Sequence, residues 1–358
     1  MSAFTRKCFL DKAASAAIGA SAAGATMRAL QGAASAATGK AIPVRMGWQP
    51  TLNGARYFVA QDAGIFAKNG LQIQPVKFLA GPPFFSAFES KSIDVGFMGT
   101  PPASVGIAQG VPMKIFAIEN YAPGSEALVV RPGSGINSLR DLKGKKIAAQ
   151  RGTSGEYALI QGLKSVGMTL NDVHFVNLDV TALLPAFQRG DIDGGWYWEP
   201  WQGELRLAGG KQLTTDGDVH AAGGIVWVAR PEWLEQNGEA VQRVLRSLDD
   251  ALPILQHHHE QVISYLHHDI GVADSITKRE ITVEASWPTM KQSWSLDYAL
   301  SINPRAVARG KGLIEVLNKL ARYQQEVRAI DAAPNFSAAI ETKYVKEYVA
   351  SNGAAAHA

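Results

Sequence analysis

Three short stretches carry residues suited to holding a small oxyanion without a lysine or arginine: "AGPP" (Ala80–Pro83), "TPPAS" (Thr100–Ser104) and "QRGTSGEY" (Gln150–Tyr157). Each places glycine, proline or a hydroxyl where a helix is expected to begin. The first backbone N–H groups of a helix have no partner inside it and carry the positive end of the dipole, so helix starts that converge can bind an anion. The candidates are Gly81, Pro82, Thr100, Pro101, Gly152, Thr153 and Ser154. Any one of them alone is equally an ordinary helix cap. Their convergence on one cleft is what would make a site.

Other polar and aromatic residues suit the same task. Gln49 and Asn53 follow the first expected strand and can donate to an anion or accept from an amine. "GGWYWEPW" (Gly194–Trp201) gathers three of the eight tryptophans, a tyrosine and a carboxylate. Trp48, Tyr121 and Trp198 can line an alkyl chain or stack on a flat group, whereas Trp196, deeper in the strand, reads as core. Glu199 is the discriminating residue, because a carboxylate 4 Å from an anion is repelled by about 4 kcal/mol at an effective dielectric near 20. Either it pairs with an arginine at a hinge, or the ligand carries a cation or N–H donors beside its anion. Asp179, at another strand end, could share the second task.

Catalysis finds little support in the residues. Cys8 is the only cysteine, and it lies in the N-terminal segment. "QHHHEQVISYLHHD" sets His257, His258, His259, His267 and His268 on a helix, where adjacent residues cannot share a face. No nucleophile–base pair and no cofactor fingerprint stands out, so neither a cofactor nor a metal is expected. Residues 1–37 are a basic start followed by an Ala/Gly/Ser run ending in Ala34-Ser35-Ala36, which reads as an export signal. "TRKCFL" resembles a twin-arginine signal with Lys7 at the second arginine, leaving Tat and Sec open. Without that segment the chain has 31 basic and 31 acidic residues. This balance gives nucleic acid or a membrane surface no electrostatic attraction.

The elements that must position these residues betray a duplication. "AFESKSIDVGFMGTPP" (Ala87–Pro102) aligns with "AFQRGDIDGGWYWEPW" (Ala186–Trp201) at a constant offset of 99, with six identities in sixteen positions. Each copy reads as a helix, a turn, an Ile-Asp pair opening a short strand, and a proline at its end. Upstream, both copies pass from helix to strand through a glycine, Gly70 and Gly167. The alternation of apolar runs and amphipathic stretches predicts α/β lobes whose strand ends face one cleft. "EALVVRPG" (Glu126–Gly133) is expected to lead into the second lobe and "GGIVWVARPEW" (Gly223–Trp233) back, making a two-segment hinge. Val241, Val244, Leu245, Leu248 and Leu252 predict one buried helix face after the return.

"GWQP", "SIDVGFMGTPPA", "GVPMKIFA", "SEALVVRPGSGINSLRDLKGKKIAA" and "LPAFQRGDID…WEPW", in this order, resemble the nitrate/sulfonate/taurine family of periplasmic solute-binding proteins of ABC importers, above all its sulfonate and taurine branch. The likeness spans nearly all of residues 43–350. It implies a type II periplasmic-binding-protein fold, with two Rossmann-like lobes closing on a small solute. The expected division is a signal peptide at 1–37, a first lobe at 42–127 plus 229–352, and a second at 128–228. The partners implied are a small sulfonate such as taurine or an alkanesulfonate, and a permease with its ATPase, met by a monomeric periplasmic protein. Nitrate, a quaternary ammonium or a pyrimidine-type solute are alternative ligands, and an enzyme on the same fold is the rival of another class.

Overall fold

A computed structural model describes residues 40–284 and 286–355. The expected export signal, with Lys7 and Cys8, lies outside the described residues. The strands are β1 (Ile42–Trp48), β2 (Leu71–Lys77), β3 (Val95–Gly99), β4 (Lys114–Tyr121), β5 (Glu126–Val130), β6 (Lys146–Ala149), β7 (His174–Asn177), β8 (Gly194–Trp198), β9 (Lys211–Thr215) and β10 (Gly224–Ala229). They form two five-stranded sheets, ordered β2-β1-β3-β10-β4 and β7-β6-β8-β5-β9. In each, the first three strands run parallel and the fourth lies antiparallel.

The two orders are the same order. β3 and β8, the strands of the repeated motif, are offset by 99 residues at both ends. Each sheet receives its antiparallel strand from the neighbouring half of the chain, so the crossings fall at 122–125 and 216–223, between β4 and β5 and between β9 and β10. The expected bounds lie a few residues later, inside β5 and β10. Both strands are instead held by the sheet they enter, because each has a partner strand on both sides there.

The duplicated aspartates explain why the motif is kept. Asp94 accepts the N–H of Arg45 at 3.0 Å and pairs with the Arg45 and Arg230 guanidinium groups, each at 2.6 Å. Asp193 accepts the N–H of Lys146 at 2.9 Å and pairs with Arg131 at 3.5 Å. Arg131 and Arg230 are the arginines of the two Arg-Pro steps that close β5 and β10. One ion pair, built twice, therefore ties the start of the motif strand to the end of the strand arriving from the other lobe. It lies at the end of each sheet away from the cleft, so its role is structural.

The guanidinium groups hold Asp94 below the usual carboxylate range despite its burial. Its contribution to stability is thus present above the unfolded-state value near pH 4 and lost as pH falls below it. Asp94→Asn is expected to cost about 2–3 kcal/mol in urea unfolding at pH 7, and Asp193→Asn less than half as much, since its pair is longer and wetter.

The first sheet is covered by one continuous apolar cluster that includes Phe58, Phe88, Phe97 and Trp227. Helix Gly238–His257 presents Val241, Val244, Leu245, Leu248 and Leu252 to that cluster, the face that their spacing predicts. Separate clusters cover the two faces of the second sheet. Helix Leu313–Glu326 braces the motif of the first lobe: Gln324 Nε2 donates to the Pro101 carbonyl at 3.1 Å and Gln324 Oε1 accepts from Ser104 at 2.7 Å. No helix among the described residues is long and apolar enough to cross a membrane.

Candidate functional site

The carboxyl ends of β1, β3, β6 and β8 meet the amino ends of the antiparallel β5 and β10 on one side of each sheet. Two small adjoining chambers lie there. The first is lined by Gln49, Thr51, Asn53, Gly81, Gly99, Pro102, Glu126, Thr153, Ser154, Trp198 and Ile225. The second shares Asn53, Gly99, Glu126, Ser154 and Ile225 and continues past Pro101 to Asn120, Ser125 and Asp216. They offer about 30 Å³ and about 20 Å³ to the centre of a water-sized sphere. A single water needs roughly 10–15 Å³ by this measure, so the closed cleft accommodates a solute of a few heavy atoms and no bulky one.

Three helix starts reach this space. Thr51 and Asn53 lie on the turn that leads into helix Ala55–Asp62, Gly99 precedes helix Thr100–Ala108, and Thr153 precedes helix Ser154–Ser165. Glycines permit the approach. A Cβ on Gly155 would stand 2.4 Å from the Trp196 carbonyl oxygen, and one on Gly81 2.6 Å from Pro102. The Thr51 hydroxyl is buried and makes no hydrogen bond within the protein. Gln49 donates to the Phe97 carbonyl at 2.9 Å. Asn53 donates to Ser125 at 3.2 Å and accepts from Asn120 at 2.9 Å, which fixes the amide orientations at the hinge.

The sequence candidates divide by position. Gln49, Asn53, Gly81, Thr153, Ser154 and Trp198 line the first chamber and Pro101 the second. Thr100 is buried beside them and accepts from the Gly224 N–H at 3.4 Å. Tyr121 faces a neighbouring groove that also contains Pro101, and Pro82 and Gly152 face a larger groove on the other side of the lobe contact. Trp48 points elsewhere. It stacks on Tyr57 at 6.1 Å, under the ammonium group of Lys77. Asp179 is exposed at the start of helix Val180–Arg189 and accepts from Gln150 at 3.1 Å. Trp196 is fully buried in the second lobe's core.

Glu199 is fully buried and outside both chambers. Its carboxylate pairs with Arg206 and accepts the Gly203 N–H at 3.1 Å. An arginine does hold it, but one on the helix that follows it rather than at the hinge. The helical periodicity places Arg206 one turn beyond Gly203 on the same face.

Two carboxyl groups at the cleft are absent from the sequence candidates. Glu126 opens β5, and its Oε2 is shielded and accepts no hydrogen bond within the protein. Burial, with Asp216 adding repulsion, pushes its carboxyl up to about 8 against a stabilising bond from Ser154. Asp216 follows β9, and burial raises it to about 6 against several backbone N–H bonds. Its Oδ1 accepts from Gly124 at 2.7 Å and Glu126 at 3.4 Å, so it staples one crossing segment to the other. The legible signal was a carboxylate heading an apolar run, "SEALVV", at a crossing between lobes.

Elsewhere, Asp62, His268 and Asp269 approach one another on the surface of the helical region, with His268 Nδ1 3.0 Å from Asp269 and 3.8 Å from Asp62. None of the three lines either chamber.

The taurine-binding periplasmic protein of Escherichia coli (strain K12) is 34% identical over 216 residues, covering 59% of this chain and 66% of that protein's own length, just under two thirds. The alkanesulfonate-binding protein of Xanthomonas axonopodis pv. citri bound to MOPS has the same fold, with a TM-score of 0.72 at 23% identity over 85% of this chain and 99% of that one. A desulfurization enzyme shares it too, with a TM-score of 0.64 at 14% identity over 87% of this chain and 99% of that one. Residues 51–261, more than half of the chain, match the NMT1/THI5-like family, and the protein belongs to it.

Proposed function

We propose that the protein is the solute-binding component of an ABC importer, exported by its N-terminal segment, and that it captures a small organosulfonate between its lobes. The observation that carries this reading is the closed polar cleft onto which three helix starts open, with the buried Thr51 hydroxyl free to meet a ligand oxygen. A sulfonate presents three equivalent oxygens, and converging N–H groups match them without a counter-cation. The relatives named for taurine and alkanesulfonate binding support the same class. Binding without conversion fits a lining that offers neither a cysteine nor a histidine. The two-segment hinge supports delivery to a membrane permease, since it lets the lobes part and close on the solute.

Thermal unfolding with ethanesulfonate, taurine, nitrate and choline tests the class. A sulfonate at one hundred times its dissociation constant should stabilise the protein by about 2.7 kcal/mol. Stabilisation by nitrate or choline with none from either sulfonate would reassign the ligand. Release of sulfite from a sulfonate or sulfinate during incubation would make the protein an enzyme instead.

A further inference from the structure

Helix Leu313–Glu326 lies outside the cleft, yet it holds two of the helices whose starts face it. Leu313, Leu317, Leu320 and Ala321 bury its inner face in the first lobe's apolar cluster. Gln324, itself buried, is bonded to the Pro101 carbonyl and the Ser104 hydroxyl in the opening turns of helix Thr100–Ala108. Adjacent residues of a helix point about 100° apart, so Tyr323 addresses a different neighbour. Its ring packs on Tyr157 of helix Ser154–Ser165, with the centroids 4.8 Å apart and the planes at 55°. Glu326, one turn further along the same face, pairs with Lys164. Tyr157 and Lys164 stand about two turns apart on their own helix, so they too share a face.

Helix Ser154–Ser165 is rooted in the second lobe through Ala158, Leu159 and Leu163, while Tyr157 packs against the apolar clusters of both lobes. Two grooves with no lining residue in common border this seam. One of about 390 Å³ reaches Tyr157 and Leu320, and one of about 820 Å³ reaches Lys164 and Glu326. The lobes therefore meet here through a few side chains rather than through a continuous core. None of these side chains lines either chamber. We propose that helix Leu313–Glu326 is an outside clamp: Tyr323 and Glu326 hold the second lobe's helix start opposite the one that Gln324 fixes in the first, and so set the affinity for a solute they do not touch. They are positioning residues, and the inference rests on the binding reading above.

Parting of the lobes carries helix Ser154–Ser165 away from a helix that stays with the first lobe, which breaks the ring contact and the ion pair together. The closed fraction depends on both contacts, and apparent affinity scales with that fraction. Because the solute enters the open form, the clamp acts on how often the closed complex reopens. Weakening it should speed dissociation and leave association unchanged.

Calorimetry and stopped-flow dissociation with ethanesulfonate as the probe, alongside X-ray scattering of the solute-free protein, test the clamp. Lys164 and Glu326 are both exposed, so Glu326→Lys sets two ammonium groups together without disturbing a core. It is expected to weaken binding about 3- to 10-fold, all of it in the dissociation rate, and to raise the solute-free radius of gyration. Adding Lys164→Glu reverses the pair and should restore both. Tyr323→Leu should weaken binding by a similar factor. Tyr323→Phe keeps the ring and loses only a shielded hydroxyl without a hydrogen-bond partner in the protein, so it should bind as the original does. Affinity and dissociation rate untouched by Glu326→Lys and Tyr323→Leu, or a loss that the reversed pair does not repair, would overturn the clamp and leave the helix a structural brace. If ethanesulfonate binds none of these proteins, the sulfonate reading falls and the scattering decides: expansion in Glu326→Lys that Lys164→Glu reverses keeps the clamp, and no expansion ends it.

Discussion

Arg56→Met is expected to destabilise the protein by about 3–5 kcal/mol, the usual cost of stranding one charge of a buried pair. Arg56 and Glu119 are both fully buried beneath the cleft. The guanidinium donates to Glu119 Oε2 at 3.2 Å, to the Pro288 carbonyl at 2.9 Å and to the Ile118 carbonyl at 2.5 Å, and it also bonds the Glu119 carbonyl. Glu119 further accepts from the Trp227 indole at 2.6 Å. Methionine fills much of the volume but supplies no donor, so a carboxylate already pushed upward by burial loses its main compensation. Adding Glu119→Gln, which keeps an acceptor for Trp227 and removes the charge, should recover a large part of the loss. Urea unfolding of the two variants gives the comparison. A loss below about 1 kcal/mol for Arg56→Met would mean that the pair is no better than a surface one.

Gly155→Val is expected to weaken ligand binding by about 100-fold or more, equivalent to about 2.7 kcal/mol. Gly155 is the second residue of helix Ser154–Ser165, and its missing side chain lets the helix start press against β8. A Cβ there would meet the Trp196 carbonyl oxygen at 2.4 Å and its carbonyl carbon at 3.2 Å. Both are backbone atoms in a paired strand, so the helix must give way rather than the sheet. Movement of about 1 Å breaks the aim of the first N–H groups at a small anion. Overpacking alone should also cost about 1–3 kcal/mol of stability. Calorimetry separates the two effects, since affinity measured on the folded fraction should fall by the larger amount. Unchanged affinity in a destabilised variant would remove this helix start from the binding surface.

The outcomes at the candidate residues follow the range of the interactions involved. The loop positions read from local grammar, such as Thr153, Ser154, Gly81 and Gln49, line the cleft, because a strand end followed by a glycine or hydroxyl and a helix has few ways to fold. Side-chain direction was harder. Trp48 ends β1 with its ring turned onto Tyr57, and only the packing of helix Ala55–Asp62 fixes that choice. Glu199 looked available in the sequence and is held by Arg206, seven residues on. Glu126 and Asp216 passed unremarked because they lie 90 positions apart and gain meaning only where the two crossings touch.

From residue order alone came the doubled α/β architecture, since the 99-residue offset repeats a helix end, a turn and a short strand whose constraints act over a few neighbours. The same is true of the buried face of helix Gly238–His257, where spacing sets the contact surface. Folding in three dimensions added which carboxylates face the cleft. That outcome depends on burial and on how folding aims each side chain: Arg206 holds Glu199 away from the chambers, while among the described residues no lysine or arginine lines them beside Glu126. Electrostatic character is a property of the assembled cleft, because desolvation and charge pairing act through space and leave no periodic trace in the sequence.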